Sequence, residues 1–373
     1  MTKESKTAIG VFLILIVGVL GFMPSALPIR LIKQIMLEWA VIALVALFFI
    51  KPFWMKIFLL YSLSLTIWNH TQDPEIAKAS YFTTMTIFLA FITYQIFYEK
   101  LIISRKSIYI ILNIFCIVTI IQLAVMYLQM FNIWLFGMRP RLELTSSSYI
   151  VGLLDNSNTS GIFLALMIPA FCRKNWYYGI PFIAVALFKT KCFSAITALM
   201  IGLYFCYCMC YEKYKIKLFI IMVLLPIAYY LNFENISNFS HFNKRIPLWK
   251  SVFNNIIPRF WLHGWGPGQF KVLIDKITKM LGEPVGKKAY VHNEYLQLWL
   301  EYGAIGVSIV LGYITSLIVK LYKRRTRLSI LLFTAILIGL LNAFVNFYMH
   351  LTVGIVMIIY FALFEKEIEY AKD

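Results

Sequence analysis

Runs of roughly 17 to 25 apolar residues recur along the chain, each about long enough for a helix to cross 30 Å of hydrocarbon. They begin near residues 8, 35, 53, 80, 108, 149, 176, 193, 216, 292, 328 and 350. The pattern predicts an all-α integral membrane protein of about 12 transmembrane helices. It breaks once, at a polar island over residues 232–291. The expected organisation is therefore nine spans over 1–231, one long loop over 232–291, and three spans with a short tail over 292–373. Inside the loop, 245–257 reads as an amphipathic helix stopped by Pro258. HGWGPGQF follows as a turn, because its glycines and proline cannot continue a helix. A second short amphipathic helix is expected over 270–281, and such helices lie in a membrane interface more often than they cross it.

Composition supports the bilayer as solvent. Hydrophobic residues make up 61% of the 373 and charged residues 14%, with a mean hydropathy of +0.77. A soluble domain cannot hide that much apolar surface. The net charge of +18 does not point to nucleic acid, because the basic residues fall between spans and form no single arm. With the N-terminal MTKESK in the cytoplasm, more than half of the 35 basic residues lie on the cytoplasmic side. Most of the others lie in the one long loop, so the short outer loops obey the positive-inside rule. Both termini are then cytoplasmic and the island is periplasmic. The first apolar run resembles a signal peptide, but the runs after it favour an uncleaved helix. The six cysteines fit neither a zinc ribbon nor a disulfide framework and receive no chemistry.

The outward face carries the candidate chemistry. His241, His263 and His292 are three of the five histidines and belong to the island or its edge. His292, in VHNEYLQLWLEYGAIG, is the sharpest candidate. A neutral imidazole there could take a proton from an acceptor hydroxyl, and the position equally suits an interfacial histidine satisfied by water and Asn293. Arg245 opens the loop helix and offers a planar fork to a phosphate, where a headgroup-facing role is the plainer alternative. Lys189 and Lys191 stand at the outer mouth of a span against the topological pressure, as snorkelling residues or as anion ligands. Arg139 and Arg141 add two more outward cations. Cations from three segments around one histidine suit a lipid diphosphate. Glu38 lies at membrane depth, or near the interface if its span begins later, and is assigned no role; His350, at an outer helix end, could belong to the same outward face.

Three motifs resemble the bacterial O-antigen ligase and polymerase superfamily of multi-pass membrane glycosyltransferases. The first is Thr190-Lys191 at the outer start of a middle span. The second is Arg245 with Pro258 and the turn Gly264-Trp265-Gly266-Pro267-Gly268. The third is His292-Asn293 leading to Glu301-Tyr302-Gly303, and Asp155-Asn156-Ser157-Asn158 is similar to the family's Asn-rich entry. The resemblance covers roughly 150–365, with lysine at position 191 where family members usually have arginine. It implies a donor glycan on undecaprenyl diphosphate, a diphosphate held by Lys191 and Arg245, and His292 activating the acceptor. Asn158, Asn293 and Glu301 would support the site. It implies no cofactor and no metal, in keeping with the lack of Asp-x-Asp in the outer loops. The first expectation is a ligase that moves the polymer to a lipid A core, and the second a polymerase whose acceptor is another lipid-linked repeat. A transporter of lipid-linked oligosaccharide fits less well, for want of inverted repeats and mid-span charges.

Overall fold

A computed structural model describes residues 53–70, 74–133, 150–154, 156–210, 239–270, 272–273, 291–344 and 352–371. Among them the protein is helical, without a strand. In chain order the helices are α1 (Phe53–His70), α2 (Pro74–Ile96), α3 (Arg105–Met130), α4 (Ser157–Phe171) and α5 (Ile180–Lys189). Then come α6 (Phe193–Cys210), α7 (Phe239–Ser251), α8 (Glu294–Lys323), α9 (Arg327–Asn342) and α10 (Thr352–Tyr370). Among the described residues four stretches are long and apolar enough to cross a membrane: Ala79–Leu101, Arg105–Met130, Phe193–Cys210 and Glu294–Lys323. Ser157–Phe171, Tyr177–Lys189 and Arg327–Asn342 are shorter apolar helices. The spans expected from residues 8, 35 and 216 lie outside the described residues, as do Glu38, Arg139, Arg141 and His350.

One boundary moves for a nonlocal reason. A span was expected from residue 149, yet α4 begins at Ser157. The preceding backbone is held by side chains of α3: Gln129 Oε1 accepts from Val151 N–H (3.1 Å) and Gly152 N–H (2.8 Å), and Gln122 Oε1 accepts from Leu153 N–H (2.8 Å). Those amides are satisfied without a helix, and Asn156 then caps α4 through its Oδ1. Every residue of α4 from Thr159 to Phe171 is buried, so this helix is the bundle's centre, packed against α3, α5, α6 and α9.

Hydrogen bonds and ion pairs define two ends. At one end, Glu294 N–H of α8 meets the Ala343 carbonyl after α9 (2.8 Å). The Cys192 thiol before α6 reaches the Asn158 carbonyl of α4 (3.7 Å). At the other, Tyr94 of α2 and Lys320 of α8 both bond Glu365 of α10. Arg105, which begins α3, pairs with Glu367 (Nη2 to Oε1, 2.6 Å), and Thr326, the cap of α9, donates to the same carboxylate (2.8 Å). Thus the acidic stretch following Phe364 continues α10 and ties four other helices together. Glu367→Ala removes the carboxylate that accepts the partly buried hydrogen bonds of the Arg105 guanidinium and the Thr326 hydroxyl. A loss of about 2 kcal/mol is expected, below the usual cost of breaking a buried pair because the Arg105 side chain is 47% exposed. Thermal unfolding of the detergent-purified variant checks this, and an unchanged Tm would contradict it.

Candidate functional site

Thr190 and Lys191 form the turn between α5 and α6. Thr190 is buried, and its hydroxyl donates to the Leu187 carbonyl (2.7 Å) and accepts from Cys192 N–H (3.3 Å). The turn reverses the chain so tightly that Lys191 is left-handed, with φ +55°. That conformation costs a residue with a Cβ about 1–2 kcal/mol. Gly161 of α4 lets the turn approach, since a Cβ there would lie 2.5 Å from Cys192 Cβ and 2.9 Å from Thr190 Oγ1. Asn158, exposed on the first turn of α4, therefore flanks the turn. Lys189 is exposed at the end of α5.

Arg245 lies elsewhere in the sequence and comes to the same place. The expected helix opening on Arg245 instead begins at Phe239, so Arg245 is inside α7. Pro247 is tolerated within that helix, because a proline there removes only one main-chain donor and bends the axis. After Ser251 the helix widens into a π turn (Val252–Ile256) and then tightens into a 3-10 turn (Ile257–Phe260) that contains Pro258. Arg245 is partly buried. Burial lowers its guanidinium from the ordinary value, offset by the nearby sulfur of Cys192. Conversely, burial raises the Cys192 thiol, while hydrogen bonding by Ser194 and Ala195 and the charge of Arg245 act against it. The mutual influence places the arginine within electrostatic range of Cys192, the residue after Lys191.

His292 is joined to α7 through its predecessor. Trp249, one turn beyond Arg245, donates its indole N–H to the Val291 carbonyl (2.9 Å). Val291 N–H in turn reaches Gln297 Oε1 (3.3 Å). His292 is left-handed as well, at φ +59°. Asn293 supplies the N-cap of α8, accepting from Leu296 N–H (3.0 Å), so His292 stands just outside the helix that it was expected to open. Among the described residues three non-glycine positions have positive φ, Asn132, Lys191 and His292, and two of them are candidates chosen from the sequence.

Glu301 ties the second motif to the third. Its side chain is buried (1% exposed). It accepts from Gly268 N–H (2.9 Å) and from the Gln297 amide (3.1 Å). The backbone joins in: Leu300 O accepts from Trp265 N–H (2.9 Å) and Glu301 O from Gly266 N–H (2.8 Å). These carbonyls are available because α8 breaks at Gly303, where φ is 62° and ψ −169°. The Gly-rich turn of the island is therefore docked in the break of α8. On its other side, the Pro267 carbonyl accepts from Ser80 of α2 (3.0 Å) and the Trp265 carbonyl from Asn69 of α1 (3.2 Å).

The packing thus brings Asn158, Lys191, Arg245 and His292 to one end of the bundle, with Asn293 and Glu301 following on α8 and Lys189 exposed at the end of α5. His263 is engaged locally: its Nδ1–H donates to the Gly264 carbonyl (2.8 Å) and the side chain is exposed. His241 has no described side chain. Of the second helix expected over 270–281, residues 271 and 274–281 lie outside the described residues. Sequence reasoning passed over Trp249, Cys192 and Gln297. Two of these carried a signal: Trp249 follows Arg245 by one turn, and Asn293, Gln297 and Glu301 recur at a four-residue spacing that puts them on one helix face.

Residues 179–311 match the Wzy_C family, described as O-antigen ligase. The matched stretch contains Lys191, Arg245, His292, Asn293 and Glu301, and leaves out Asn158. This bears out the resemblance to the O-antigen ligase and polymerase superfamily. No curated protein matches the chain. With its apolar helices, the chain is a membrane protein whose residues 179–311 match this family.

Proposed function

We propose that this chain, with its O-antigen ligase domain over residues 179–311, transfers a polysaccharide from undecaprenyl diphosphate to the lipid A core. The reaction takes place at the periplasmic side of the bacterial inner membrane. The acceptor hydroxyl oxygen attacks the anomeric carbon of the donor, its proton passing to His292. The bond between that carbon and the diphosphate oxygen breaks, and the electron pair leaves with undecaprenyl diphosphate, inverting the anomeric centre. Lys191 and Arg245 face the leaving group. Helices α4, α6 and α8 all begin at this end, and their positive ends add to those cations. Fixed charges of this kind stabilise the developing diphosphate without reorganising in the transition state.

The left-handed backbone at both Lys191 and His292 carries this reading. Strain persists where the surroundings enforce it, and such residues cluster at functional sites. A polymerase would use the same donor site with a lipid-linked repeat unit as acceptor, and the family covers both activities.

Substitutions at Lys191 test the proposal. Lys191→Arg keeps a cation and should retain most activity. Lys191→Gly removes the charge and relaxes the left-handed turn. It should raise stability by about 1 kcal/mol while lowering transfer at least tenfold. Thermal unfolding and transfer from a lipid-linked donor are measured on the same preparations. A glycine variant with full activity would show that Lys191 is only a helix-end anchor.

A further inference from the structure

The island touches α8 a second time, lower than the Gly-rich turn. The carbonyl of Trp261 accepts from Ala304 N–H (2.8 Å) and that of Leu262 from Ile305 N–H (3.1 Å). These are the first residues after the break at Gly303. Trp299 also donates its indole N–H to the Trp261 carbonyl (3.1 Å). Pairing these carbonyls removes a main obstacle to placing a non-helical turn in lipid, where an unpaired carbonyl is costly. The side chains are turned outward: Trp261 is 55% exposed and Leu262 46%. Arg259 is exposed just before them.

Their surroundings name the partner. Beyond the break, α8 exposes Ile305, Leu311, Ile318 and Val319, which lie on one broad side of a stretch apolar enough to cross a membrane. Trp261 and Leu262 begin where that apolar side begins. Tyr322 is exposed where it ends, with the Arg325 guanidinium 5.8 Å from its ring centre. From Ile305 to Tyr322 the helix advances about 26 Å, close to the roughly 30 Å of a hydrocarbon core. An aromatic ring and an arginine thus mark each end of one membrane-length segment, the arrangement expected at the two interfaces of a bilayer.

We propose that Trp261 and Leu262, flanked by Arg259, form a foot that enters the leaflet on the island side, at the boundary between headgroups and hydrocarbon. The foot is continuous with the lipid-facing side of α8. It sets the height at which the island sits, and through the Gly264–Gly268 turn and Glu301 it sets that of the helix opening beside His292. The inference does not depend on the reaction assigned to the site.

The test compares intrinsic fluorescence of the full-length wild type and Trp261→Phe in liposomes. One set contains phosphatidylcholine brominated near the glycerol end of its acyl chains, and the other receives iodide in the water. The Trp261 contribution, taken as the difference between the two proteins, should lose most of its emission to the brominated lipid and little to iodide. The reverse pattern would overturn the proposal. If added soluble polysaccharide then protected the residue from iodide, the surface would belong to a glycan instead. A nitroxide on Leu262→Cys, with the exposed cysteines Cys172 and Cys210 changed to serine, gives an independent reading. It should be more accessible to oxygen than to a water-soluble nickel chelate, and the opposite order would also reject the foot.

Discussion

His292→Ala is expected to reduce glycan transfer by about 10²- to 10⁴-fold, the usual contribution of a general base. The mutant cell should lack long-chain glycan on lipid A and accumulate full-length polymer on undecaprenyl diphosphate. Accumulation of single repeat units would identify a polymerase, and normal lipopolysaccharide from a well-expressed variant would refute both. The fold should survive the change. Val291, immediately before, is held by Trp249 and Gln297, and Asn293, immediately after, caps α8; alanine disturbs neither. Thermal unfolding close to wild type, alongside lost transfer, would separate chemistry from stability. His292→Gln keeps a hydrogen-bonding group of similar reach but cannot accept and release a proton at neutral pH. Its activity should resemble that of the alanine variant. Substantial rescue by glutamine would reduce His292 to an orienting role.

The parts of this fold legible in the sequence are those governed by local pattern. Helices near the expected starts at 53, 80, 108, 176, 193, 292 and 328 are present, because an apolar run of helical length needs no distant partner to declare itself. The boundary at α4 was missed because it depends on Gln122 and Gln129, whose amide oxygens capture backbone donors far along the chain. The break in α8 was invisible for a related reason. Apolar residues continue on both sides of Gly303, and only the island's carbonyls at Trp261 and Leu262 show why the helix does not run through. At the candidate site, residue types and order singled out Lys191, Arg245, His292, Asn293 and Glu301 as candidates. What they could not expose was conformation. The left-handed backbone at 191 and 292 accompanies a tight turn and the hydrogen bonds around Val291, one of them made by Trp249, distant in the sequence.

Gly303→Ala should be the most damaging small substitution among the described residues of this region. With φ 62° and ψ −169°, the position falls in a backbone region open essentially to glycine alone. An added Cβ would also lie 2.3 Å from the Leu262 carbonyl oxygen and 2.5 Å from Gly264 N. These are backbone atoms, so no rotamer change relieves the contact. Relief requires α8 to leave the break or the island to move away. Either course sacrifices the bonds from Ala304 and Ile305 to Trp261 and Leu262, and it displaces the Gly268 amide from Glu301. Backbone strain of about 1–3 kcal/mol, added to several lost hydrogen bonds at about 1 kcal/mol each, gives an expected destabilisation of at least 3 kcal/mol. Transfer should fall although Lys191, Arg245 and His292 are all present, because Arg245 and His292 belong to the two segments that this junction holds in register. Ile305→Ala, a neighbouring exposed position, should leave Tm and activity nearly unchanged. If Gly303→Ala unfolded at the wild-type temperature with wild-type activity, the break would be incidental to the site. If instead its Tm fell and activity per folded molecule were retained, the junction would serve stability alone.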